Sequence, residues 1–467
     1  MNLDTIASKI IHYTFYALFF IVPLIFLRGN FELFQFNKMF TVYFATTIIA
    51  AAWLIKMILQ RRFFVRKTPF DIPILLFLGS QIASTLFSIE PHTSLWGYYS
   101  RFHGGLLSTI SYILLYYAFV SNLSSFHSNT SSKREGRENI SASLLILLTS
   151  ATIVAIYGIL EHFGIDAKYW VQDVRNRVFS TLGQPNWLAA FLVTVTPLTF
   201  IPLLNKESVV KSARGANFAR RLGQAIGLAS RSTKGRPRTT TVSDQKIAAL
   251  RAIPTSVSYI LLAIFYLTLL YTKSRSGLLG FTLMYAVYWG LLLLIRKRHS
   301  SVKQFVKTSA LILSITLLVG TPFTPSLSQI AKRLTTQPLR APQPASQEAP
   351  KLPVGGTPSE EIRRIVWKGA IDVWRHWPIF GSGVETFAYS YYNFRPVEHN
   401  FVSEWDFLYN KAHNEYLNFL ATTGSVGLGS YLLLQGWFAI WSLKQIFKNK
   451  VLLITHYSFH CWPDIPA

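Results

Sequence analysis

Charge and cysteine are what this sequence has little of. Only 14% of its residues are charged, against about 25% in soluble globular domains, so water is not the main solvent of the folded chain. A single cysteine, Cys461, excludes internal disulfides and any multi-cysteine metal site. No acidic pair with clear metal spacing occurs in the polar stretches, where Glu404-Trp405-Asp406 is the nearest approach. The first apolar run is followed by no small-residue cleavage site, so it reads as a retained span rather than a signal peptide. What is abundant is apolar: 50% of residues are hydrophobic and 15% aromatic, with a mean hydropathy of +0.30.

A helix crossing a bilayer needs about 20 mostly apolar residues. About ten runs meet that need: 10–27, 39–59, 71–88, 104–121, 142–161, 186–204, 256–272, 276–295, 307–322 and 416–443. The fold expected is therefore all-α, a polytopic transmembrane helical bundle. The last run is longer than a span requires and is expected to tilt or break near Gly424, Gly427 and Gly429.

The formal net charge is +25, from 46 Lys and Arg against 21 Asp and Glu. In a soluble chain that excess would point to nucleic acid. Here the basic residues concentrate in alternate loops, the positive-inside pattern, so membrane lipids and not nucleic acid are the expected partner. Arg61-Arg62, Arg66-Lys67, Lys133-Arg134, Arg137, the segment 205–255 and Arg296-Lys297-Arg298 would face inward with the N-terminus. In that orientation the N-terminus is expected on the cytoplasmic side of the membrane and the one long polar stretch outside. The division expected is 1–320 for membrane helices with a basic cytoplasmic insertion at 205–255, 321–415 for the outer loop, 416–443 for the final full span, and 444–467 for a tail. In that tail Val451-Leu452-Leu453-Ile454 begins another apolar run which His456, His460, Trp462 and Pro463 spoil, so a truncated chain is the expectation. The basic insertion reads as a topological determinant, with anionic headgroups as the alternative partner.

The outer loop has order of its own. Residues 336–358 are rich in Pro, Gln, Ala and Gly and read as a linker. Thr357-Pro358-Ser359-Glu360 then resembles a capping box, with Thr at the N-cap, Pro at N1 and Glu at N3. The following helix places Ile362, Ile365, Val366, Gly369, Val373 and Trp377 on one stripe, with Arg363, Trp367, Ala370 and Trp374 on a neighbouring face. It is expected to lie on the membrane or on the helical bundle, and to stop at Trp377-Pro378 because proline disfavours helical geometry in the preceding residue. Gly381-Ser382-Gly383 lacks the lysine of a phosphate loop and marks a tight turn or close backbone approach. The aromatic run Phe387, Tyr389, Tyr391, Tyr392, Phe394, Trp405, Phe407 and Tyr409 suits either sugar stacking or an interfacial belt.

Polar groups at the rims of spans are costly and mark candidate sites. Arg101-Phe102-His103-Gly104, Gln184-Pro185-Asn186, Lys273-Ser274-Arg275-Ser276 and the outer loop all fall on the outward side. Helix-end arginines also snorkel to headgroups, and it is the convergence of four elements that points to an outer-face site. Two His-Asn pairs, His399-Asn400 and His413-Asn414, offer a neutral imidazole able to take a proton from a hydroxyl near neutral pH. Arginine holds phosphate oxygens bidentately and never loses its charge, so a metal-free and cofactor-free mechanism is the economical expectation.

In this order the motifs resemble the O-antigen ligase and polymerase family of polytopic bacterial membrane proteins. They are Gly183-Gln184-Pro185-Asn186 with Leu188-Ala189-Ala190, Thr272-Lys273-Ser274-Arg275-Ser276-Gly277, Arg363 four residues before Trp367, and Pro378 before Gly381-Ser382-Gly383. Ala412-His413-Asn414-Glu415-Tyr416-Leu417, leading into Gly424-Ser425-Val426-Gly427, completes the series. The resemblance covers roughly 180–432. It implies a glycosyltransferase that moves a glycan from a polyprenyl-pyrophosphate donor to a glycan, lipid or protein acceptor hydroxyl, with inversion, in building lipopolysaccharide or a related cell-envelope polysaccharide. It also implies that His413 is the general base, that Arg275, Arg363 and Arg101 with Asn414 bind substrate, and that His399 is secondary because His413 matches the motif before the final helix. Members usually carry one or two further spans. A glycan polymerase and a protein O-oligosaccharyltransferase are alternatives within the family. A bicarbonate or other small-solute transporter is the alternative outside enzymes, disfavoured by the lack of internal symmetry.

Overall fold

The computed structural model describes residues 2–27, 29–30, 32–123, 130–204, 253–295, 299–327 and 357–449, with the backbone alone for 130–138, 204, 299–300 and 449. The basic insertion, the Pro-rich linker, Arg296-Lys297-Arg298 and the tail from 450 lie wholly or largely outside these residues. In chain order the α-helices are α1 (Leu3–Leu24), α2 (Gln35–Leu59), α3 (Asp71–Leu86), α4 (Pro91–Trp96), α5 (Leu106–Asn122), α6 (Thr130–His162) and α7 (Pro185–Val195). They continue as α8 (Thr255–Tyr271), α9 (Arg275–Ile295), α10 (His299–Val319), α11 (Ser359–His376), α12 (Phe387–Phe394) and α13 (Glu415–Asn449). No strand occurs among the described residues.

Among the described residues six helices are long and apolar enough to cross a membrane: α1, α2, α9, and the segments Asn139–His162, Ser301–Val319 and Glu415–Lys448 of α6, α10 and α13. Four shorter apolar helices, at Asp71–Leu86, Leu106–Asn122, Pro185–Phe200 and Thr255–Tyr271, account for the remaining runs seen in the sequence. The architecture is that of an all-helical membrane bundle. One run departs from a simple span. The segment expected over 186–204 is α-helical only to Val195 and continues as short 3-10 turns at Thr196–Phe200 and Pro202–Leu204. Pro197 and Pro202 are the reason, since each removes a backbone donor and crowds the preceding turn.

Contacts divide the chain into two compact units. The first comprises Met1–Ala7, Leu27–Ala118 and Gln337–Leu443, the second Ser8–Phe26, Phe119–Thr336 and Lys444–Ala467.

In the first unit α2 and α5 run antiparallel, joined by Tyr43 to Ser108 (2.8 Å) and Tyr112 to the Met39 sulfur (3.3 Å). Helix α3 runs antiparallel to α13: Ser84 donates to the Thr422 carbonyl (3.0 Å), Ser80 pairs with Ser430 (2.8 Å), and the Trp437 indole donates to the Pro69 carbonyl (2.8 Å). The break anticipated in the last span occurs at Gly424, whose φ of 66° and ψ of −169° no side-chain-bearing residue adopts comfortably. The Pro378–Gly383 turn docks into this break. Ser382 and Gly383 N–H donate to the Ala421 and Thr422 carbonyls, and Ser425 and Val426 N–H donate to the Pro378 and Ile379 carbonyls. Such an approach demands glycine, and Gly381 (φ 71°) and Gly383 (φ 119°) supply it.

Helix α11 stops at His376 with Trp377 as C-cap, as the following proline requires. Its apolar stripe is buried as the spacing predicts, and Ala370 joins it. The cover is neither lipid nor a separate bundle but the rest of the loop. Ile362, Val366, Ala370 and Val373 form one core with Phe387, Tyr391, Val402 and Tyr409, closed by Ala412 and by Ala421 of α13. Each such fully buried aliphatic side chain contributes roughly 1.5–3 kcal/mol, which lets this polar segment fold without a disulfide. The capping box does not form. The N-cap is Pro358 with no side-chain cap, because the Thr357 backbone and hydroxyl bond reciprocally with Ser403, both at 3.0 Å.

In the second unit Leu148, Ala151, Val154 and Ala155 form the inward stripe of α6. They pack with Leu188, Ala189, Leu192 and Val195 of α7, Phe265, Tyr266, Leu269 and Leu270 of α8, and Phe281 of α9. The C-terminal part of α1 joins by the Ser150 hydroxyl to the Phe20 carbonyl (2.9 Å) and Thr181 to the Pro23 carbonyl (2.7 Å).

Candidate functional site

Within the first unit, His413 is set by its neighbours in three steps. The Trp367 indole, one turn beyond Arg363 on α11, donates to the Ala412 carbonyl (3.0 Å), and Ala412 N–H donates to the Asn418 side chain (3.2 Å). Asn414 caps α13, its Oδ1 accepting the N–H groups of Tyr416 (3.1 Å) and Leu417 (3.2 Å). Between these anchors His413 takes a left-handed backbone, φ 52°, a conformation uncommon outside Gly although His is among the residues that tolerate it best. Its ring stands edge-on to Tyr409 at 5.4 Å and 89°.

Although His413 is exposed, the protein packed around its ring pushes its pKa below the ordinary histidine value. The Arg363 guanidinium adds to that effect and Glu404 opposes it. The imidazole is thereby neutral near pH 7, and no hydrogen bond to it is made among the described residues. Beneath it, Tyr409 donates to the Glu404 carboxylate, and burial followed by that bond raises the phenol's pKa so that it stays protonated. Arg363 is exposed, belongs to none of the ion pairs of the described residues, and exerts its charge on both His413 and Tyr409.

His399 is the contrast. It is fully buried, with Nδ1 against the Tyr391 hydroxyl (2.8 Å) and Nε2 against the Glu404 carbonyl (3.1 Å). A carbonyl only accepts, so Nε2 carries the proton and Nδ1 accepts from Tyr391. Burial lowers its pKa. Both nitrogens are committed to holding the loop, so the two His-Asn pairs of the sequence differ in role.

Arg101 lies in the same unit, in the tight turn after α4, where Arg101 N–H and Phe102 N–H both donate to the Tyr98 carbonyl (2.9 Å). Next to it is a cluster that spacing alone gave no reason to assemble. Lys411 pairs with the buried Glu385, whose φ is 62°. His103 feels Glu385, Lys411 and Arg101, and burial above all lowers its pKa. Glu385 and Lys411 are 26 residues apart. The only sequence signal for them is their position beside the Gly-Ser-Gly turn and His413. Asn414 is placed as a helix cap, and its Oδ1 is committed to that task.

Arg275 and Asn186 belong to the second unit. Arg275 opens α9 and is exposed. Ser274 immediately before it accepts the Gly277 N–H (3.1 Å) and donates to the Asn186 Oδ1 (2.7 Å). Arg177 donates to the same Oδ1 (3.2 Å) and, through Nε, to the Thr272 carbonyl (3.0 Å). Lys273, at φ 49°, reaches Asn176. The segment bearing Arg177 is fixed from below by Glu161. That side chain is fully buried, and its Oε2 accepts the N–H groups of Phe179 (2.8 Å) and Ser180 (2.7 Å). Asn186 thus ties the Arg177 segment to Ser274 at the start of α9, where the helix dipole and free N–H groups favour anions. Arg177 and Glu161 escaped the sequence reading because neither falls in a recognised motif. No grouping of three or more His, Cys, Asp or Glu side chains suited to a metal ion is found among the described residues.

Residues 260–432 match the family model described as O-Antigen ligase. The match bears out the resemblance over that segment, which includes Arg275, Arg363 and His413. No curated protein matches the chain.

Proposed function

We propose, from the O-Antigen ligase match over 260–432, that this helical membrane protein transfers a glycan from a polyprenyl-pyrophosphate donor to an acceptor hydroxyl at the outer face of a bacterial inner membrane, with its N-terminus cytoplasmic. His413 takes the acceptor proton on a ring nitrogen as the hydroxyl oxygen forms its bond to the anomeric carbon. The bond from that carbon to the pyrophosphate oxygen breaks on the opposite side, with inversion, and the lipid pyrophosphate departs carrying its electron pair. Arg363 provides fixed positive charge beside the base and Arg275 is a phosphate-binding residue at the start of α9. Each acts by preorganised electrostatics rather than by proton transfer. Arg101 is assigned to substrate on the strength of its place beside His103 and Lys411.

The observation that carries this reading is the state of His413: exposed, held in a left-handed backbone, without a hydrogen bond among the described residues, and kept neutral with Arg363 as a contributing cause. The buried His399 shares the lowered pKa but neither the exposure nor the free ring nitrogens, since both of its nitrogens are hydrogen-bonded.

The test is reconstitution in liposomes with a glycan-bearing polyprenyl pyrophosphate and a range of hydroxyl acceptors. Wild type is expected to transfer glycan, and His413→Ala and Arg275→Ala to lose at least most of that activity. Transfer by both variants at the wild-type rate sinks the mechanism. A wild type that transfers to no acceptor, yet moves a small solute across the bilayer, favours a transporter.

A further inference from the structure

The first unit holds a groove of about 540 Å³ that the transfer chemistry does not use. It is lined by Gly29, Asn30 and Glu32 of the segment between α1 and α2, Phe36 of the first turn of α2, and Tyr99 and Ser100 after α4. Its size falls in the range of small-molecule sites, about 300–1,000 Å³.

The polar lining is rich in acceptors. Asn30 spends its amide N–H on the Asn37 Oδ1 (2.6 Å), which leaves its carbonyl oxygen for a ligand. Glu32 uses Oε2 to cap the Phe36 N–H (2.7 Å), which leaves Oε1. Tyr99 is 61% exposed, and its ring is tilted at 45° to that of Tyr98 with 4.7 Å between centroids, so an aromatic surface is open to solvent. A carboxylate and an amide carbonyl beside an exposed aromatic face suit hydroxyl donors on a ligand with an apolar C–H face. They disfavour a hydrocarbon chain, which would strip water from Glu32 without replacing it.

The groove adjoins the candidate chemistry. Ser100 precedes Arg101, Phe102 packs edge-on against Phe36 at 5.9 Å, and His103 shares its electrostatic surroundings with Arg101, Glu385 and Lys411. We propose that this groove is a neutral-saccharide subsite, holding uncharged sugar residues of the glycan by Tyr99 stacking and by hydroxyls donated to Glu32 and Asn30. The proposal rests on the transfer reading. It adds the location, within the first unit, at which sugar rather than phosphate is held.

The test compares binding of two probes to the full chain in nanodiscs: a polyprenyl pyrophosphate carrying a neutral oligosaccharide, and the same polyprenyl pyrophosphate without sugar. Wild type is expected to bind the first more tightly. Tyr99→Ala and Glu32→Gln should weaken it about tenfold, the scale of one lost stacking or charged hydrogen-bond contact, and leave the bare lipid unchanged. Unchanged bare-lipid binding also shows that the variants fold, and Tyr99→Trp should restore binding. If donor preference persists but the KM of a glycan acceptor rises about tenfold, the sugar held is the acceptor's and the subsite stands. If both variants keep the wild-type donor preference and acceptor KM, the proposal is overturned. A wild type that neither binds the glycan-bearing lipid nor transfers sugar removes the transfer reading, and the subsite with it.

Discussion

Glu161 is the perturbation from which the design of the second unit is most directly read. Its Oε2 is the acceptor for the N–H groups of Phe179 and Ser180, residues that are themselves 3% and 1% exposed. Glu161→Ala leaves both donors buried with no acceptor in place. At about 1–3 kcal/mol for each orphaned group, the cost is roughly 2–6 kcal/mol. Glu161→Gln keeps a carbonyl oxygen where Oε2 stands, so its cost should stay near 1 kcal/mol or less. The damage should reach Arg275 as well. Phe179 and Ser180 follow Arg177, which holds the Thr272 carbonyl and Asn186, and Asn186 holds the Ser274 cap. Denaturant unfolding in detergent measures the first effect. Steady-state transfer measures the second, with donor KM expected to rise in Glu161→Ala while acceptor KM holds. An alanine variant as stable as wild type, or a glutamine variant as damaged as the alanine one, refutes the reasoning.

Three further outcomes are expected. The base must be neutral, so activity is full above the His413 pKa and lost as pH falls through it. Because that pKa is lowered from 6.5, the acid limb of the rate profile lies below 6.5. Arg363→Ala should move the limb up and Glu404→Gln should move it further down, and a limb that ignores both charges excludes His413 as the titrating group. Asn414→Ala removes the α13 cap and should cost about 1 kcal/mol in unfolding experiments, with Asn414→Ser restoring most of it; equal stability of wild type and the alanine variant would remove the capping role. Gly424→Ala places a side chain at φ 66° and against the Ile379 backbone, costing at least about 1–3 kcal/mol from backbone strain alone. Gly429→Ala, where an added Cβ meets nothing within 4 Å, is its control and should be neutral or stabilising.

Much of the fold was legible because a bilayer imposes length. Each apolar run expected to span coincides with a helix, four of them shorter than a full span, and Pro197 and Pro202 turned the end of one of these four into 3-10 turns. Pro378, Gly381, Gly383 and Gly424 were legible for a related reason, since these residue types are chosen by backbone geometry itself. The site was legible only in part. His399 and His413 head identical His-Asn pairs; the motif before the final helix favoured His413, but the burial and the two ring hydrogen bonds that commit His399 to structure are not encoded locally. The Asn186 hub joins groups 88 residues apart at Ser274, and the Thr357–Ser403 pairing that displaced the capping box spans 46 residues. Both are products of tertiary packing. Lys411 and Glu385 belong to the same class, because a buried ion pair leaves no periodicity to detect.

The docking of the Pro378–Gly383 turn into the Gly424 break has a mechanical consequence. Four main-chain bonds rivet the exit of α11 to both sides of the interruption in α13, and main-chain bonds do not swing on side-chain rotamers. The Trp374 indole adds a fifth point by donating to Ser425 (3.0 Å). Arg363, His413 and the last span therefore move as one lever. A loop that lifted at its C-terminal side would have to break these bonds or drag a membrane helix with it.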